Sequence, residues 1–305
     1  MKFNINTSSF ILFLVVSLVT SCTKEYATID TEDEKVIQEY IQKNGLTVQQ
    51  YGTTGIYYQI IKPGLGDPVQ NTDKVFLTYT VKSTDSKYSS TNEYTNVYND
   101  YLGYLGPADG RSSSYPAALR TIIKDVLGKK GGSVRIIVPS RLAYGKSGQG
   151  SIPGNACLDY TVNVTSASTQ YEFDEYLVRK FGAENNISIE KDENGLLYHI
   201  IQPGTGTEVL RDTTQVTTYY TLKYLDGTLI QTANADNPFT FRLNDAGIIA
   251  GYPIGVKKLK KGARSECSFP SVLDTLLLRL AQTAFVLTRC STMKWSWRML
   301  SSKKG

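Results

Sequence analysis

Hydrophobic and polar positions alternate with a period of two in several short runs of this chain and recur at helical spacing in others. Val75–Val81, Val134–Val138, Leu158–Val164 and Val216–Tyr224 are rich in Val, Ile, Thr and Tyr, the composition of strands. Glu34–Lys43 sets Val36, Ile37 and Ile41 among charged residues at helical spacing, and Phe173–Phe181 does the same with Leu177, Val178 and Phe181. Ala117–Leu127 is a third candidate helix, and Tyr94–Tyr104 with Pro107–Ser114 reads as one enlarged loop.

The pattern occurs twice. Gly55-Ile-Tyr-Tyr-Gln-Ile-Ile-Lys-Pro-Gly64-Leu-Gly66 returns as Gly195-Leu-Leu-Tyr-His-Ile-Ile-Gln-Pro-Gly204-Thr-Gly206. Each copy is preceded by one of the charged helical segments and runs on into a strand. A period of about 140 residues marks a duplicated domain rather than a solenoid, and each copy is long enough for its own core. The predicted organisation is a leader over 1–21, a polar tether over 22–33, a first domain over 34–168, a second over 169–273 and an aberrant tail over 274–305.

The leader joins Lys2 to an apolar run, Phe10–Val16, too short to span a bilayer comfortably, and ends in small residues; it reads as a signal peptide. Val19-Thr20-Ser21-Cys22 resembles a lipobox, the alternative being an ordinary secretory signal with an incidental cysteine. The resemblance implies acylation of Cys22 and attachment to a membrane of the cell envelope, either on the periplasmic side of an outer membrane or at the cell surface. Thr23-Lys24-Glu25 resembles the short charged signals that route some Bacteroidetes lipoproteins to the surface.

Cys157, Cys267 and Cys290 fit no metal-ligand spacing, and Cys157 and Cys267 read as small buried residues. The single histidine, His199, leaves little support for Ser-His-Asp, Cys-His or His-rich metal chemistry, so neither metal nor cofactor is expected. The formal net charge of +5 comes from the tail, where six basic residues face only Asp274; Cys22–Leu273 sums to −1. A body without net positive charge argues against nucleic acid as a partner.

One stretch names a family. Gly131–Val164 carries a β-rich run, then Leu-Ala-Tyr144-Gly, a glycine-rich loop closing on Ile152-Pro153-Gly-Asn-Ala-Cys-Leu, and a last strand. This order resembles the C-terminal signature of FKBP-type peptidyl-prolyl isomerases. The resemblance implies an α+β fold: two tandem FKBP-like domains, each an antiparallel sheet half-wrapped around one helix, with a ligand pocket between them. It implies the substrate class as well, proline-containing polypeptides, and a role in folding exported proteins.

By the same resemblance the first pocket is built from Tyr79, Tyr88, Tyr144, Ile152 and Tyr160. In the second domain Tyr220, Ile230, Phe239, Ile248, Ile249 and Tyr252 match pocket positions, with Tyr252 where the family has tryptophan and the Ile249 backbone N–H as ligand donor. The departures are specific. The family's aspartate is Ser89 in the first domain and Gln231 in the second, and the tryptophan floor has no clear counterpart in the first, where Leu119 or Ile122-Ile123 are the candidates to fill it. Isolated tyrosines are also ordinary core residues. Two further readings therefore stand beside the enzyme: a catalytically weak module that binds peptides or a partner, and a surface lipoprotein that stacks sugars on Tyr94–Tyr104.

The tail has no counterpart of the tyrosine loop. Reading the last base of each codon with the first two of the next, Met293-Lys294 forces Glu, and back to Phe285 this frame allows R-P-N-S-V-L-Y-Y-E-V-E-L, an ending like that of the first domain. A single-base frameshift near Leu273 accounts for it, and a genuine tail is the alternative. On the frameshift reading, the second domain is incomplete in this chain.

Overall fold

The computed structural model describes residues 28–106, 115–207, 209–260, 264–269 and 291–297, with the last two segments described by their backbone. The leader with Cys22, the Pro107–Ser114 stretch and, of the tail, residues 274–290 and 298–305 lie outside the described residues.

Helix α1 (Ile29–Lys43) opens where the Thr28 side chain accepts from the Thr31 N–H, with Asp30 and Glu32 in the first turn and Lys43 in the last, charges that suit the helix dipole. It begins before the expected Glu34, so the end of the predicted 22–33 tether is helical and Asp33 is buried. The equivalent helix of the second copy, α3 (Gln170–Glu184), opens on a capping box in which Thr169 and Glu172 satisfy one another's backbone N–H groups. Among the described residues, no helix is long and apolar enough to cross a membrane.

The first sheet is antiparallel. It runs in the order β1 (Gln49–Gln50), β2 (Tyr57–Lys62), β6 (Gly132–Val138), β7 (Leu158–Val164), β3 (Lys74–Ser83), β4 (Ser89–Ser90), with β5 (Val97–Tyr101) also on β3. The enlarged loop expected over Tyr94–Tyr104 therefore contains a strand. Alternation along the strands divides the residues between two faces. Val75, Leu77, Val134, Ile136, Leu158 and Tyr160 bury one face against α2 (Ala117–Ile122), which supplies Leu119 and Ile122, while its last turn (Ile123–Leu127) is π-helical. The opposite face takes the long helices. Ile37 and Tyr40 of α1 pack on Tyr57 and Ile137, and Phe173 of α3 packs on Phe76.

The second sheet repeats the plan: β8 (Glu190–Lys191), β9 (Leu197–Gln202), β13 (Arg264–Phe269), β14 (Ser291–Trp297), β10 (Gln215–Tyr224), β11 (Leu229–Ala233), with β12 (Phe239–Arg242) on β10. Helix α4 (Gly251–Lys257) holds the place of α2, with Tyr252 and Val256 in the core. The strand between β13 and β10 comes from within the tail. Thr218 pairs with Trp297 and Tyr224 with Ser291, the register in which Leu77 pairs with Val164 and Ser83 with Leu158. The sheet of the second unit thus extends past residue 273, where the sequence ends the domain.

Candidate active site

Five residues singled out in the first unit converge on the open side of its core. Tyr79 on β3 lies opposite Val162, and Tyr160 on β7 lies opposite Val81, which brings their rings to 6.0 Å. Tyr88 enters from the β3–β4 hairpin. Its N–H donates to Ser83 Oγ at 2.9 Å and its carbonyl accepts from the Ser83 N–H at 2.8 Å, so one serine fixes the turn. Tyr144 sits between two 3₁₀ turns, its hydroxyl 3.4 Å from that of Tyr160. Ile152 closes the loop through paired backbone hydrogen bonds with Gln149. Gly148 makes this closure possible: it adopts φ +64°, and a Cβ there would stand 2.2 Å from the Ile152 carbonyl oxygen.

Two further rings escaped the sequence reading. Tyr98 lay inside the presumed loop, and Tyr115 two residues before α2. Tyr115 stands edge-on to Tyr79 and Tyr98 at 5.5 and 5.7 Å. Leu119, Ile122 and Ile123, the candidates for the floor, are fully buried in the core. The available signal was positional: Tyr115-Pro116 precedes α2 as Ile249-Ala250 precedes the first two residues of α4. Burial raises the hydroxyls of Tyr79, Tyr98, Tyr144 and Tyr160 above the ordinary tyrosine value, which keeps them neutral O–H groups in the physiological range. The arrangement is an aromatic surface with fixed neutral hydroxyls, suited to desolvating a planar amide and to donating hydrogen bonds to its oxygen.

In the second unit Tyr220, Phe239 and Tyr252 form a tight group, with Tyr252 at 5.9 Å from Tyr220 and 5.7 Å from Phe239. Ile248 and Ile249 pack against it. Ile230 does not. It falls at an irregularity between the Leu222 and Lys223 pairings of the edge strand β11, and at 43% exposure it stands outside the cluster. Gln231 and Ser89, at the family's aspartate positions, are both exposed. Of the aromatic loop proposed for sugars, Tyr94 packs on Phe181 and bonds Glu184, while Tyr98 joins the aromatic cluster.

A family model described as FKBP-type peptidyl-prolyl cis-trans isomerase matches residues 66–165 and 206–274, over half of the chain. The chain belongs to this FKBP family. The first match runs through β7, whereas the second stops before β14. Among relatives, FkpA of Escherichia coli (strain K12), an FKBP-type peptidyl-prolyl cis-trans isomerase, is 26% identical over 141 residues, covering 46% of this chain and 47% of its own. FkpA of Aeromonas hydrophila is 30% identical over 154 residues, covering 48% and 51%. The chain spans about half the length of the curated relatives it matches. The crystal structure of FkpA from Escherichia coli is similar at 22% identity, covering 54% of this chain and 73% of that one, with a TM-score of 0.36.

Proposed function

We propose that this FKBP-family chain is a prolyl isomerase acting on proline-containing segments of exported proteins, and that its first unit carries the activity. The observation behind this reading is the convergence of Tyr79, Tyr88, Tyr144, Ile152 and Tyr160 on one half-open aromatic surface. Rotation about an X-Pro bond faces a barrier of about 18–20 kcal/mol, because the planar amide is held by resonance that separates charge. Twisting the bond removes that separation. An apolar aromatic site therefore favours the twisted amide over the planar one that water solvates better, which is differential binding of the transition state. The Tyr144 hydroxyl, beside Tyr160 and neutral, serves as donor to a substrate carbonyl. No nucleophile or proton shuttle is needed.

In the second unit Tyr220, Phe239, Ile248, Ile249 and Tyr252 form a secondary peptide-binding surface. We place the first unit from α1 to residue 168 and the second from residue 169 through β14. Cys22 is the lipid-anchor site, which sets both units at the cell envelope on the outer membrane, its basis being the lipobox-like Val-Thr-Ser-Cys.

A protease-coupled isomerisation assay on the full chain tests the reading. Acceleration well above background that falls about tenfold or more in Tyr144→Phe and Tyr88→Ala supports it. A folded chain with no acceleration overturns it, and the surface is then a peptide-binding one.

A further inference from the structure

The two units close the same aromatic pair with rings from different chain positions. Strand register makes Tyr79 the counterpart of Tyr220, and Tyr98 the counterpart of Phe239, since Tyr98 pairs with Leu77 as Phe239 pairs with Thr218. In the second unit the closing ring is Tyr252, the second residue of α4, edge-on to both partners with interplanar angles of 77° and 83°. In the first unit it is Tyr115, edge-on to both partners at 87° and 88°. Helix α2 opens at Ala117 as α4 opens at Gly251, so Tyr115 holds the place of Ile249, and Ala118, 5% exposed, holds that of Tyr252. The closing ring thus enters from outside the helix in the first unit and from within its first turn in the second.

The hydroxyls differ too. That of Tyr252 is buried against Thr218 at 2.6 Å, and the corresponding position in the first unit is Leu77, which has no hydroxyl to offer. In the first unit the contact is between rings, Tyr115 edge-on to Tyr79 at 5.5 Å and to Tyr98 at 5.7 Å. We infer that Tyr115 is a positioning and specificity-setting residue of the first unit's site: its ring forms the floor beneath Tyr79 and Tyr98 and fixes the place of both. One side chain then covers a specific departure from the family pattern, the missing tryptophan. The inference rests on the isomerase reading for its catalytic consequence. For its ligand chemistry it requires that this site accept proline peptides against a tyrosine floor that enters from outside helix α2.

The test uses the full chain with Tyr115→Phe and Tyr115→Ala, succinyl-Ala-Leu-Pro-Phe-type peptides as probe, and tyrosine labelled with ¹³C at Cζ. Circular dichroism first establishes that the variants fold. Tyr115→Ala is expected to weaken peptide binding and lower kcat/KM by about tenfold, while Tyr115→Phe, which keeps the ring, stays within about twofold in both. The Tyr79 Cζ resonance shifts in Tyr115→Ala as the edge-on ring is lost, a change that reports on the first unit alone and needs no activity. If the wild-type chain binds the peptide without catalysing, the isomerase reading fails, and the binding and resonance data alone decide the role of Tyr115. An unmoved Tyr79 resonance, with both variants matching wild type in peptide affinity, overturns it. So does a wild-type chain that does not bind the peptide.

Discussion

Phe76 of the first sheet and Phe173 of α3 meet with ring centroids 5.2 Å apart, and this contact seats a helix of the second copy on the outer face of the first. Leu177 and Val178 extend the same cluster to Leu197 and Leu225 of the second unit, and Asn163 Nδ2 donates to the Tyr176 hydroxyl at 2.6 Å. The strand that carries Tyr98 into the site, β5, also sends Asn99 Nδ2 to Gln170 at 2.8 Å. Helix α3 is therefore mortar between the units and a brace behind the site.

Phe173→Ala removes a ring that is fully buried in this cluster. It is expected to lower stability by about 3–5 kcal/mol, and to do so for probes in both units. Urea unfolding followed by tyrosine fluorescence and by far-ultraviolet dichroism checks this. A loss confined to the second unit shows that α3 does not brace the first.

Asp33 is 4% exposed, accepts from Ser140 Oγ at 2.8 Å and the Arg141 N–H at 3.2 Å, and faces the Cys157 thiol at 3.3 Å. Burial, with the Asp33 charge beside it, pushes that thiol up to about 12, so Cys157 is an inert core residue. Asp33→Ala leaves Ser140 without this acceptor and is expected to cost about 1–3 kcal/mol. Hydrogen exchange should speed up through α1 while the core of the first sheet stays protected. Uniform loss of protection shows instead that α1 and the sheet unfold as one.

Glu184 accepts from the Tyr94 hydroxyl at 2.6 Å and from Lys180 at 3.0 Å, and these contacts hold its carboxyl below the ordinary 4.5. Because the folded value is the lower one, the stability contributed is present above about pH 4.5 and lost as pH falls through the lowered value. The group is half exposed, which keeps the effect below about 1 kcal/mol. Melting temperatures of the chain and its Glu184→Gln variant should differ slightly at pH 7 and converge in acid. A difference that persists at pH 3 assigns the effect to packing and not to charge.

The tail offers a sharper test. Positions 291, 293, 295 and 297 stand in the register of Leu158, Tyr160, Val162 and Val164. On the frameshift reading, the alternative frame allows Leu, Tyr, Val and Leu across the same codons. A chain rebuilt in that frame is expected to melt at least several degrees higher and to aggregate less, since it restores a buried alternation to the strand between β13 and β10. Resequencing the gene settles the frame itself. An unchanged sequence with no gain in the rebuilt chain establishes the tail as genuine.

How much was legible before the structure differs by element. The repeat, the long strands β3, β6, β7 and β10 and the helices α1, α2 and α3 were legible because each shows its period over enough residues. Tyr79, Tyr144, Ile152 and Tyr160 were legible through the order of a loop and two strands. Strand β5 was not, because Val-Tyr-Asn-Asp-Tyr lacks a buried face of its own and becomes a strand only by pairing with β3. The start of α1 was missed because Asp33 looks like a tether charge until Ser140, more than a hundred residues away in sequence, is seen to donate to it.

The sequence by itself determined the family, the duplication and the identity of the tyrosines that the first unit gathers, since these lie in local order and spacing. Only the tertiary structure decided that Ile230 stands apart from the aromatic cluster of the second unit and that Tyr115 joins that of the first. Edge irregularity and the packing of one ring against two others are relations between distant strands, and no local period encodes them.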